Sequence, residues 1–97
     1  MKETVFLDEL CEVIEDRAAH PSSGSYVSGI LTHPKGIDRA LEKVGEECVE
    51  FILAMKNESE TRKIEEAADL LFHLLVALRA GNIELSEVVQ ELSRRRR

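Results

Sequence analysis

The sequence predicts an all-α protein: four to five helices in a bundle that a second copy of the chain completes. Three observations lead there. Apolar residues recur at i, i+3, i+4 spacing through most of the chain. Only 5 Gly and 2 Pro interrupt 97 residues, too few for an architecture of many turns. Aromatic residues make up 4% and Trp is absent, so the core must be aliphatic. The length fits one domain spanning residues 1–97.

The first helix is expected over residues 3–18, with Phe6, Leu10, Val13, Ile14 and Arg17 on one face. Residues 18–36 hold both prolines and three of the glycines, and read as a long loop. A connection of that length in a small domain is either a functional segment or a disordered surface loop. The second helix runs from Ile37 to Lys56. Its apolar set is Ile37, Ala40, Leu41, Val44, Cys48, Phe51, Ile52 and Met55, within a sector of about 120° taken as the core-facing side. Asn57 suits a helix end, and Ser59 or Thr61 suits the next helix start.

The third helix spans 61–80 and stops at Gly81 and Asn82. Its second half, "DLLFHLLVALRA", is apolar nearly all round. Too little chain remains to cover such a helix, so a dimer or higher homo-oligomer is expected to bury the surplus face. The fourth helix begins near Leu85, with Val88, Val89 and Leu92 inward. Arg94 to Arg97 suit the negative end of its dipole.

Several function classes fall away. The net charge is −6, against broad nucleic-acid binding. No run of about 18 apolar residues offers a membrane span, and "MKETVFLDEL" is not a secretion signal. Cys11 and Cys48 are expected as buried free thiols. A cytoplasmic protein follows.

The stretch "KVGEECVEF" crowds Glu46, Glu47 and Glu50 onto the polar side of the second helix. Alone, that is an ordinary solvated face. On the third helix, however, Glu66, Asp69 and His73 share one stripe, with leucines and Phe72 around Asp69 and His73. An ionised, unpaired carboxylate in such surroundings costs several kcal/mol. No Lys or Arg is expected on that stripe to compensate. Five carboxylates on two adjacent helices therefore imply divalent cations between them, and all-oxygen ligation selects Mg²⁺ or Mn²⁺. Mg²⁺ completes its shell with phosphates, so the expected chemistry is hydrolysis of a nucleotide phosphoanhydride. His73 is expected to hydrogen-bond a carbonyl or Asp69 rather than to ligate metal.

The pair "E46-E-C-V-E50" and "E66-A-A-D69" resembles the EExxE…ExxD signature of the all-α, MazG-like nucleotide pyrophosphatases. The segments "SYVSGIL", "KGIDRALEKVGEECVEFILAMKN" and "EEAADLLFHLLVAL" resemble more closely the phosphoribosyl-ATP pyrophosphohydrolase family, over residues 5–95. That resemblance implies a MazG-like bundle, usually dimeric. It implies Mg²⁺-dependent cleavage of phosphoribosyl-ATP to phosphoribosyl-AMP and pyrophosphate, in histidine biosynthesis. It assigns the metals to Glu46, Glu47, Glu50, Glu66 and Asp69, the phosphates to Lys43, Arg39 and Lys35, and substrate contacts to Ser25 and Tyr26. The general base would come from the glutamate cluster, with Glu47 and Glu50 as catalytic candidates. Cys48 stands where a small residue is usual in the family and is expected to pack in the core. A cyclohydrolase domain often fused upstream has no counterpart in this sequence, so a separate protein is expected to take the next step. Two rivals share these residues: a house-cleaning nucleoside triphosphate pyrophosphatase and a non-catalytic helical dimerisation module.

Overall fold

The computed structural model describes residues 2–96. It contains α1 (Lys2–Ala19), α2 (Tyr26–Leu31), α3 (Ile37–Asn57), α4 (Glu60–Ala80) and α5 (Leu85–Arg94), and no strand among the described residues. The all-α expectation holds. The helix starts follow local chemistry. Ser59 caps α4 by accepting from the Arg62 N–H, and Glu84 and Glu87 form a reciprocal capping box at α5. Gly36 precedes α3 at φ 64°, ψ −139°, a backbone conformation that only glycine adopts without strain. Asn82 takes the left-handed turn after α4, at φ 60°.

α3 and α4 form the principal pairing, joined by the two residues Glu58 and Ser59. α1 and α2 pack across one end of this hairpin. The core there is Ile14, Val27, Ile30, Ala40, Leu75 and Val76, aliphatic throughout. Leu85 brings α5 against it. Burial of each such Val, Leu or Ile side chain contributes about 1.5–3 kcal/mol.

α2 lies inside the segment expected to be loop. At six residues it is too short to show a period, but Ser25 before "YVSGIL" is its cap: the Ser25 hydroxyl accepts from the Ser28 N–H at 3.1 Å. Ser28 is itself 2% exposed. Its hydroxyl donates to the Arg17 carbonyl at 2.9 Å and accepts from the Ser22 N–H at 3.2 Å. These bonds staple the connection to the end of α1.

The apolar sectors do not all face inward. On α3 the buried residues are Ala40, Glu47 and Ala54, a line about 80° round from the centre of the expected core-facing sector. Ile37, Leu41, Ile52, Met55 and Cys48 are exposed in the single chain. Cys48 is thus not a core thiol, and Cys11 is only half-buried. Leu71 and Leu74 of α4 and Val89 and Leu92 of α5 are exposed too, correcting the expected inner face of α5. At the C-terminus, Arg94 and Arg95 both pair with Glu91, and Arg97 lies outside the described residues. No helix among the described residues is long and apolar enough to cross a membrane.

Ile14 is the α1 residue buried in the core, at 2% exposure. Ile14→Ala is expected to cost about 2–5 kcal/mol, read from urea unfolding midpoints at constant slope.

Candidate functional site

Three carboxylates meet where α3 and α4 pair. Oxygens of Glu47, Glu66 and Asp69 all lie within 4.8 Å of one another. Glu47 and Glu66 are 7% and 4% exposed, whereas Asp69 opens to solvent. The two glutamates are therefore the desolvated acids, and the expected desolvation of Asp69 among leucines is not observed in the single chain. Seven-residue spacing explains the placement on α3. Ala40, Glu47 and Ala54 face α4 together, and the alanines have little bulk to hold the helices apart.

Glu46 and Glu50 stand outside this group. Both are exposed, and Glu46 bonds the Lys43 ammonium at 3.3 Å. The structure thus gathers three of the five expected metal residues and leaves two at the rim. One oxygen each of Glu47 and Glu66 is buried without a hydrogen-bond partner. Leaving such a group unsatisfied costs roughly 1–3 kcal/mol, more when it is charged. Orphaned anionic oxygens from two helices, converging with a third carboxylate that solvent reaches, suit a hard divalent cation retaining part of its water shell. The residues fit the expected metal.

The α4 stripe does carry a cation, against expectation. Arg62, one turn before Glu66, pairs with both Glu65 and Glu66. Hydrogen bonding to Glu65 and the charge of Glu66 hold its pKa above the ordinary guanidinium value. The expectation of no basic residue on that stripe is corrected. The i, i+4 spacing of Arg62 and Glu66 is the signal in the sequence that points to the pair. Arg62 satisfies one Glu66 oxygen and leaves the other orphaned.

The remaining predicted residues lie on α3, just before it, and at the start of α2. Lys43 reaches Glu46 and, at 3.7 Å, Glu47. Burial alone would depress its pKa; the hydrogen bond to Glu46 and interactions with Tyr26 outweigh this and raise it. Lys35 and Arg39 both pair with Glu42, at 2.9 and 3.3 Å, and so lie a turn away from the carboxylate group. The Lys35 bond and charge, reinforced by Arg39, hold the Glu42 carboxyl below its ordinary value. Ser25 acts as the α2 cap. The Tyr26 hydroxyl and His73 Nε2 share a hydrogen bond of 2.7 Å, and His73 Nδ1 bonds the Asp69 carbonyl at 2.8 Å, the carbonyl contact expected for it.

Residues 7–96 match the family model of phosphoribosyl-ATP pyrophosphohydrolase. The chain is 59% identical over 97 residues to a phosphoribosyl-ATP pyrophosphatase of Methanoculleus marisnigri, covering 100% of both chains. It is 59% identical over 97 residues to one of Methanosphaerula palustris, covering 100% of this chain and 98% of the relative. A third, from Methanoregula boonei, is 58% identical over 89 residues, covering 92% of this chain and 86% of the relative.

The crowded acids set a stability test. In a chelator, Glu47→Gln removes one buried like charge, and the variant is expected to melt higher than wild type by about 4–8 °C, equivalent to about 1 kcal/mol. Added MgCl₂ should then raise the wild-type midpoint and leave that of the variant nearly unmoved. Scanning calorimetry in both buffers checks the pair.

Proposed function

Because this chain belongs to the phosphoribosyl-ATP pyrophosphohydrolase family, we propose that the Glu47, Glu66 and Asp69 seam is where phosphoribosyl-ATP is cut to phosphoribosyl-AMP and pyrophosphate. The chain is a hydrolase of phosphoribosyl-ATP, an activity of histidine biosynthesis. The site assignment rests on the orphaned, buried oxygens of Glu47 and Glu66. A solvated polar face, as a mere dimerisation module would carry, gives no reason to bury them. The names of the relatives favour phosphoribosyl-ATP over the general nucleoside triphosphates of a house-cleaning enzyme.

Glu47, Glu66 and Asp69 would hold Mg²⁺, with Mn²⁺ as an alternative, and Glu46 and Glu50 border them on the solvent side. A bound divalent cation supplies Lewis-acid polarisation of the phosphoanhydride and offsets its negative charge. The chain contributes the rest. Lys43 projects its ammonium beside the carboxylates and meets a substrate phosphate there. Lys35 and Arg39, paired with half-buried Glu42, extend the positive rim toward the far end of the substrate. Glu50, one turn beyond Glu47 and open to solvent, takes the proton of the attacking water as general base.

The exposed apolar sector of α3 and the outer leucines of α4 favour a homodimer that covers them. The two free cysteines and the nucleotide substrate favour the cytoplasm.

Glu47→Gln and Asp69→Asn are each expected to abolish pyrophosphate release from phosphoribosyl-ATP while the helical circular-dichroism signal is kept. Glu50→Gln should lower kcat about 10²–10⁴-fold with Mg²⁺ uptake by calorimetry intact. Near-normal turnover in Glu47→Gln or Asp69→Asn overturns the site. In sedimentation, wild type should run at twice the chain mass and Ile52→Glu at one.

A further inference from the structure

Each buried glutamate of the seam is met by a cation placed one turn earlier on its own helix. On α3 the Lys43 ammonium lies 3.7 Å from Glu47 Oε2. On α4 the Arg62 guanidinium bonds Glu66 Oε2 through Nη2. In both glutamates the other oxygen, Oε1, is buried and has no hydrogen-bond partner. A guanidinium beside a carboxylate commonly forks, with two parallel N–H groups on its two oxygens. Arg62 does not. Its Nη1 is turned to Glu65, so Nη2 alone serves Glu66. Nor is this an ordinary surface pair, since the Glu66 side chain is 6% exposed while those of Arg62 and Glu65 are 50% and 53% exposed. Arg62 reaches in from solvent, occupies one oxygen of a buried carboxylate and leaves the other bare.

We propose that Arg62 is a positioning residue that sets which dication the seam accepts: by holding Glu66 Oε2 it limits Glu66 to one oxygen for metal, which suits Mg²⁺ and disfavours Ca²⁺. Mg²⁺ demands near-ideal octahedral geometry at about 2.0–2.1 Å and keeps several waters. Ca²⁺ takes roughly 6–8 oxygens at about 2.3–2.6 Å and accepts both oxygens of one carboxylate. A Glu66 free to offer both oxygens adds a ligand that Ca²⁺ uses and the tighter Mg²⁺ shell does not. Arg62 touches neither substrate nor metal in this role and acts through Glu66. The inference deepens the proposed function, since it rests on the seam holding a dication.

The test needs no substrate. Apparent affinities for Mg²⁺ and Ca²⁺ are read from the rise of the melting midpoint with the concentration of each cation. In Arg62→Met the ratio of Ca²⁺ to Mg²⁺ affinity should rise about tenfold over wild type. Both ions carry the same charge, so the general effect of removing a nearby cation moves the two affinities together and cancels in the ratio. Arg62→Lys still sets a positive charge against Glu66 Oε2 and should keep the wild-type ratio. Glu65→Gln leaves Arg62 on Glu66 and should keep it as well. The Ser59 cap of α4 bonds the backbone N–H of residue 62, which every one of these variants retains. A ratio unmoved in Arg62→Met, or one shifted as far in Arg62→Lys or Glu65→Gln, overturns the role while leaving a wild type that takes up Mg²⁺, and its site, standing. A wild type whose midpoint neither cation moves overturns the proposed site and this role together.

Discussion

Two acids drawn out of water at one helix–helix seam govern the rest of the molecule. Unit charges about 4 Å apart repel by roughly 4 kcal/mol at the effective dielectric of a protein surface. Glu47, Glu66 and Asp69, all within 4.8 Å, are held against that repulsion by the pairing of α3 and α4. The aliphatic core at one end of the hairpin supplies the force, and Lys43 and Arg62 offset part of the charge from either side. Neither reaches the orphaned oxygens. The seam is a place where folding free energy is spent on electrostatic crowding, which is the condition for gripping a dication and a polyphosphate.

Much of this is legible in the order of the amino acids. The lengths of α3 and α4, the Ser59 cap and the carboxylate spacing all follow from short-range rules that neighbouring residues obey. The identity of the buried acids does not. At 100° per residue Glu47 borders the apolar sector of α3, so its side depends on which way the helix turns against its neighbour. Hydrophobicity alone puts Ile37, Cys48 and Met55 at the centre of the buried face; the alanines at 40 and 54 take that place instead. A strongly apolar stripe in a small chain marks a surface to be covered, without saying whether its own chain or another covers it.

Arg62 and α2 escape a reading of the sequence for different reasons. Arg62 sits at i−4 from Glu66, in the polar first turns of α4, well before the leucine-rich stretch that dominates the pattern of that helix. α2 has too few residues for periodicity, and its stability comes from tertiary contacts: Val27 and Ile30 in the core, and Ser28 bonded back to Arg17 and Ser22. The converse holds for Asp69. Its leucine neighbours along the chain suggest burial, yet side chains adjacent in sequence point to different sides of a helix. Local composition is a poor guide to the solvent exposure of any single position.

α3 carries acids on the side turned to α4 and uncovered aliphatic side chains on another. Point changes can be absorbed by such a rod, since they alter one side chain and leave its direction alone. A gained or lost residue between Lys43 and Ala54 cannot, because everything beyond would wheel through about 100° and exchange grease for carboxylate. Length polymorphism among natural variants should therefore collect in the connections, above all around Pro21 to Gly24, and spare this rod entirely.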